Sequence, residues 1–387
     1  MNKTVCLLFY SLILFSCGGG QKVSNDMYSL QPTDSYLKFS IDRKTRFPRF
    51  CLWTFEEKGK EYMCFPNEGR EILFYNIENQ QLVKKVEYEA EGDNGVGTVY
   101  SFYATDFNHI YIPDLSSPAL FVTDSTGHVL SKIEYNQTDD GIPLMPTFAH
   151  TITYSPICFL GDSIYLPQET NGQFGDHFVS KSPFGVMIDR ATGRIKVTPL
   201  KYSLSIGDER DIPYSTGGGK LSVCYDGKNF VYSEELKDSI ICLSRDFSKI
   251  TKHLAKSRFI KHAKVEVLPS DVNLDQLIKR KCELPSYGNL IYDKYREMYY
   301  RFAFPEVKMD KERSFMDIYH NGRKQFSIII MDKDMNVVGE KLFPEYQYNA
   351  YLLFIRKDGL YISVSHFKRP DFDENVLCFQ KIELVKL

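Results

Sequence analysis

Residues 73–88 read as an apolar run, a polar turn and an alternating run, and residues 120–135 repeat that pattern without a gap. Leu, Phe, Lys, Glu and Tyr recur at matching places, and the pairs Leu82/Val129, Val83/Leu130 and Val86/Ile133 are conservative. In the second copy Val129, Ser131, Ile133 and Tyr135 share one face, while Leu130, Lys132 and Glu134 share the other. A period of two marks a strand, and Asp124-Ser125-Thr126-Gly127 between two such runs predicts a hairpin. Weaker copies lie at residues 186–195, 240–250 and 328–338. A further strand pair precedes three of these hairpins, at residues 157–160 with 164–166, 221–224 with 230–232, and 290–292 with 298–302. Two hairpins per unit give a four-stranded sheet. Such units repeating at about 40 to 60 residues predict a β-propeller, whose blades bury their faces against one another.

The last unit is one strand short, with strands predicted over residues 351–355, 360–364 and 376–382. Residues 37–41 alternate cleanly and can supply the fourth strand, closing the ring and removing two exposed edges. Shared over residues 35–387, six blades take about 59 residues each and seven about 50. Five hairpins plus a closing blade favour six, with seven as the alternative. Residues 270–280 break the strand pattern and read as a short helical insertion: Ser270 suits the N-cap, Asp271 the first turn, and Leu274, Leu277 and Ile278 share a face. The fold class expected is therefore all-β, a propeller of four-stranded antiparallel blades.

The chain starts differently. Lys3 precedes an apolar run over residues 5–15, too short to span a bilayer, and the run ends in Ser16-Cys17-Gly18. Ser16 and Gly18 fit a bacterial lipobox, whose cysteine is lipidated after cleavage, and Phe15 is bulkier than the usual residue there. The other reading is an ordinary signal peptide with an incidental cysteine. The organisation expected is a lipoprotein signal peptide over 1–16, a flexible tether from lipidated Cys17 over 17–34, and the propeller over 35–387.

Composition narrows the function classes. The chain has 387 residues, with 48 Lys and Arg against 50 Asp and Glu, a net charge of -2. That balance gives no electrostatic reason to bind nucleic acid. A single long apolar run excludes a multi-pass membrane protein. The 26 Tyr and 28 Phe suit strand packing.

Candidate chemistry is sparse. Cys51, Cys64, Cys158, Cys224, Cys242, Cys282 and Cys378 are an odd set beyond the leader, without a Cys-x-x-Cys pair. A hairpin turning between Glu57 and Lys58 would set Cys51 opposite Cys64, where a disulfide can form; the alternative is free cysteines acting as small core hydrophobes. No histidine has ligand spacing, so no metal and no cofactor is expected. Asp332-Lys333-Asp334-Met335-Asn336 and Asp371-Phe372-Asp373-Glu374-Asn375 begin like calcium loops but lack the glycine and glutamate that follow, so turn chemistry explains them better. Gly217-Gly218-Gly219-Lys220 lacks the upstream glycine and the Ser/Thr of a phosphate loop, and is rejected as one. His150, Asp176 and His177, in the longest polar connections, are the residues to watch for binding. No catalytic residue is assigned.

The lipobox at Cys17, the chain length, the hairpins that open on Leu-Phe and close on Glu-Tyr, and the run from Ile291 through Tyr292, Asp293, Lys294, Tyr295 and Arg296 to Phe302 together resemble the Bacteroidetes lipoproteins of the domain of unknown function 4221. That resemblance covers essentially the whole mature chain. It implies a six-bladed, TolB-like propeller and brings no assigned activity. Surface-exported lipoproteins of Bacteroidetes often carry an acidic cluster after the lipidated cysteine; here Gly18-Gly19-Gly20-Gln21-Lys22 occupies that place. The expected address is the outer membrane, facing the periplasm. The expected role is a lipid-anchored binding or scaffold module for an envelope protein or glycan partner. The alternative is an enzyme, a lyase or lactonase-like hydrolase, with polar residues at the central channel.

Overall fold

The computed structural model describes residues 26–48, 50–146, 155–168, 182–203, 214–217, 219–312 and 314–387. Strand β1 (Tyr28–Ser40) comes first but belongs to the last sheet. Blade 1 is β2 (Trp53–Glu57), β3 (Lys60–Asn67), β4 (Glu71–Asn76) and β5 (Leu82–Glu87). Blade 2 is β6 (Tyr103–Asp106), β7 (His109–Pro113), β8 (Ala119–Thr123) and β9 (Val129–Glu134). Blade 3 is β10 (Cys158–Leu160), β11 (Ser163–Pro167), β12 (Gly185–Asp189) and β13 (Ile195–Val197). Blade 4 is β14 (Leu221–Tyr225), β15 (Asn229–Glu234), β16 (Ser239–Ser244) and β17 (Ile250–Leu254). After the helix α1 (Leu274–Glu283) comes blade 5: β18 (Ser286–Asp293), β19 (Met298–Phe304), β20 (Ser327–Met331) and β21 (Val337–Leu342), with α2 (Phe315–His320) inserted at its centre. Blade 6 is β22 (Asn349–Arg356), β23 (Gly359–Ser363) and β24 (Val376–Lys386), completed by β1. The sequence pattern located all five hairpins and the three strands of the last unit.

The core lies between blades. One apolar cluster joins Phe55 and Phe74 of blade 1 to Ile110 and Ile112 of blade 2. Equivalent clusters link each later pair of blades. A sixth joins Phe354 and Phe379 of blade 6 to Phe65 and Tyr75 of blade 1. Phe39 of β1 is packed into that seam, 5.7 Å from Tyr75 and 6.0 Å from Phe379. Hydrophobic burial, which favours folding by about 25 cal/mol per Å² of apolar surface, is thus spread evenly around a closed ring.

Three expectations are corrected. The tether was expected to reach residue 34, yet β1 begins at Tyr28 and pairs with β24 from Tyr28↔Lys386 to Ser40↔Val376. Thr33 and Asp34, which read as linker, and Ser35 occupy an irregularity between Pro32 and Tyr36, where proline has no N–H to give the ladder. The Cys51–Cys64 disulfide, one of the two readings of that pair, is absent, and both are free buried thiols. The hairpin turns at Lys58-Gly59, both with positive φ (52° and 74°), so Trp53 and not Cys51 stands opposite Cys64. Helix α1 starts later than expected, because the Asn273 side chain accepts from the Gln276 N–H at 2.9 Å and takes the cap. Leu274, expected in the core, is exposed, whereas Leu277, Ile278 and Cys282 are buried. The six-residue α2, too short to show a helical period, packs Phe315 and Ile318 against Ile278 and Cys282.

Candidate binding site

The first strand of each blade lines the ring axis, and all six run toward the same end before turning back. Residues of those strands and of the turns that follow converge from positions far apart in sequence. Trp53, Tyr103, Phe159, Tyr225, Tyr292 and Arg356, one from each blade in turn, line a cavity of about 420 Å³. Strand alternation puts every second side chain on the axis, so one position per blade suffices to build its wall.

The wall is aromatic. Trp53 and Tyr103 have ring centroids 4.3 Å apart, and Tyr103 and Phe159 are 5.3 Å apart, a continuous arc over blades 1 to 3. The Trp53 indole N–H donates to the Ala104 carbonyl at 2.9 Å, which fixes the ring's orientation. Across the axis stand Tyr225, Tyr292 and Tyr295 of blades 4 and 5. Burial raises the hydroxyl pKa of Tyr103, Tyr225 and Tyr292 above the ordinary tyrosine value, so they act as neutral O–H donors.

Charge at the mouth is partly paired. Arg356 Nε donates to Glu61 Oε2 at 2.7 Å, joining blade 6 to blade 1. Burial opposes the Arg356 charge, but the Glu61 hydrogen bond and the charges of Glu61 and Asp358 outweigh it and raise its pKa. Arg296 extends the link: it holds Asp293 at 2.8 Å and donates to the Arg356 and Lys357 carbonyls. Glu56 and Lys294 stand exposed at the rim.

Deeper in the wall, Cys158 and Cys224 are buried thiols. Burial pushes Cys158 up to about 12 and raises Cys224 well above the usual thiol value, so neither is a thiolate nucleophile. Among the described residues no group of three or more His, Cys, Asp or Glu could hold a metal ion. The Asp332 carboxylate is engaged by its own turn, accepting from the N–H groups of Asp334 and Asn336, and Asp373 likewise accepts from Asn375. Cys17, His150, Asp176 and His177 lie outside the described residues.

Sequence reasoning missed the channel residues. A signal was present in the run 291–302, which supplies Tyr292, Lys294 and Tyr295 to the mouth and Arg296 to the blade link. Nothing local distinguishes Trp53 or Tyr103 from other strand aromatics.

The family described as Domain of unknown function (DUF4221) matches residues 28–342. The crystal structure of a member of that family from Bacteroides vulgatus is similar with a TM-score of 0.76 and 26% identity, covering 94% of this chain and 100% of that one. A Bacteroides fragilis protein whose name calls it exported is similar in fold, with a TM-score of 0.54 and 12% identity over 94% of this chain and 97% of that one. No curated protein matches.

Proposed function

The chain belongs to the DUF4221 family, and from that premise we propose that it is a cell-envelope binding module that grips a projecting segment of a protein partner in its channel mouth. The observation that carries this reading is the arc Trp53–Tyr103–Phe159 facing Tyr225, Tyr292 and Tyr295 across an open cavity. Trp, Tyr and Arg are the residues that dominate protein interfaces, because they bury large rigid surfaces and keep a polar tip. A rigid ring holds these rings in place before binding, which lowers the entropy cost of association.

The address is proposed from the leader. The apolar run over residues 5–15 followed by Ser16-Cys17-Gly18 supports export and lipid anchoring at Cys17, facing the periplasm from the outer membrane. A fold relative named as exported supports the coarser part of that reading.

Trp53 is the chain's single tryptophan, so its emission reports on the channel directly. The native lipoprotein is purified from envelopes as wild type and as Tyr295→Ala. A co-purifying protein is expected with the wild type and not with the variant. Added in pure form, it should shift Trp53 emission, with affinity lowered tenfold or more by Tyr295→Ala. A partner retained equally by the variant, or emission that moves only with oligosaccharides, overturns the reading.

A further inference from the structure

At the opposite end of the ring, beside α1 and α2, a second cavity of about 60 Å³ opens between blades 4, 5 and 6. By one probe sphere of roughly 10–15 Å³ per water, it holds about four to six waters. Arg323 lines it and is only 5% exposed. Its Nη1 donates to Ser286 Oγ at 2.9 Å, and its Nη2 donates to the carbonyls of Cys282 (2.9 Å) and Leu284 (2.6 Å). Among the described residues its Nε has no hydrogen-bond partner. The guanidinium lies 4.6 Å from the Phe304 ring. Among the described residues no carboxylate forms an ion pair with it. A buried charge held only by dipoles and an aromatic face, with one donor left over, is an incomplete arrangement.

A second cation completes the picture. Lys220 Nζ donates to the Tyr319 hydroxyl and sits 4.6 Å over that ring. Lys281 of α1 adds a third positive charge to the lining, and Glu235 is the one carboxylate there among the described residues. Hydroxyls of Ser286, Tyr319 and Tyr351 stand on the same wall. Lys220 ends the Gly-Gly-Gly-Lys run. Strand β14 follows it where a phosphate loop would have a helix, so the lysine acts as a point charge and not as part of a backbone cradle.

We infer that this pocket binds a compact oxyanion of phosphate or sulfate size, with Arg323 Nε and Lys220 Nζ as its cationic donors. One guanidinium donor and one ammonium suit a tetrahedral anion better than a planar carboxylate, which Arg engages through paired donors. The site is independent of the aromatic mouth, from which the length of the inner strands separates it.

Thermal unfolding of the exported chain in inorganic phosphate, and separately in sulfate, against sodium chloride of matched ionic strength, tests the assignment. A saturable rise in Tm above the chloride control is expected with at least one oxyanion, following RT ln(1 + [L]/Kd). Lys220→Met removes an exposed side chain that forms no ion pair among the described residues, so it should fold. It should weaken the apparent affinity tenfold or more. Arg323→Lys, which keeps the charge but lacks the Nε geometry, should weaken it likewise. Trp53 emission should not change on anion addition. Phosphate and sulfate no more stabilising than chloride, or Lys220→Met responding as wild type does, overturns the inference.

Discussion

At the scale of single residues, two buried basic groups carry opposite lessons. Arg301 is fully buried on β19, and burial pulls its pKa down to about 10. It stays because its donors are taken: Nε reaches Ser233 Oγ at 2.8 Å, Nη1 the Ala255 carbonyl at 2.8 Å, and Nη2 the Lys237 carbonyl at 2.6 Å. The Tyr287 ring lies 3.6 Å from the guanidinium. One side chain of blade 5 thus satisfies backbone at the edge of blade 4. Arg301→Met would leave those carbonyls buried without donors, and about 3–5 kcal/mol of stability should be lost in urea denaturation. A loss below about 1 kcal/mol would refute this account. His366 is buried and neutral. Its Nε2 faces the Gly322 carbonyl at 3.1 Å, and its Nδ1 accepts the Lys368 N–H at 3.2 Å, so an added proton would confront a donor. Burial, with the charges of Lys368 and Arg369 behind it, holds its pKa down to about 4. The unfolded chain binds this proton near pH 6.5, and the folded chain only near pH 4. Stability therefore rises with pH across that window and falls by about 3 kcal/mol as pH drops through it. His366→Gln should flatten the slope between pH 7 and pH 4.5 relative to wild type; parallel stability curves would count against it. The sequence showed both residues but not their burial, because each acts on backbone that is distant along the chain.

At the scale of elements, period-two alternation revealed strands wherever one face is buried and the other wet. It failed where the turn, not the pattern, sets register. A turn at Lys58-Gly59 in place of one between Glu57 and Lys58 moves the partner of Cys64 from Cys51 to Trp53. It failed again at β1, where a polar interruption hid the first half of the strand. Leu30 in that half is fully buried and pairs with Leu384. A chain starting at Ser35 keeps the pairing from Tyr36 onward and loses the Tyr28–Pro32 rungs. Burial of a Leu contributes about 1.5–3 kcal/mol, so the shorter chain should be about 3 kcal/mol less stable than one starting at Asp26, with the unpaired half of β24 prone to edge association. Equal urea midpoints for the two chains would show that the first half of β1 adds nothing. The channel mouth was illegible for a related reason: Trp53 and Arg356 are neighbours on its wall only because the ring closes.

At the scale of the whole molecule, ring topology fixes where the chain enters. Inner strand β22 runs toward the mouth and ends at Arg356, and β24 runs the same way, ending at Lys386. Tyr28 pairs with Lys386, so the chain enters the ring at the mouth end. The step from Cys17 to Tyr28 covers eleven residues, about 39 Å at full stretch. Strand β1, with 13 residues, extends about 43 Å. With a lipid on Cys17, turning the α1 and α2 end toward the membrane would demand a tether pulled taut along the entire blade, so the mouth should face the bilayer. Dyes placed by Lys294→Cys at the rim and by Leu274→Cys on α1 can measure this in the lipidated chain on vesicles. Six of the seven described native cysteines are buried, and Cys378→Ser removes the half-buried one. Energy transfer to an acceptor lipid should be stronger from position 294 than from position 274. Equal or reversed transfer would contradict the orientation. The expected result would also restrict the partner: a segment that reaches Trp53 must come from the membrane side, which favours a membrane-embedded protein over one diffusing in the periplasm.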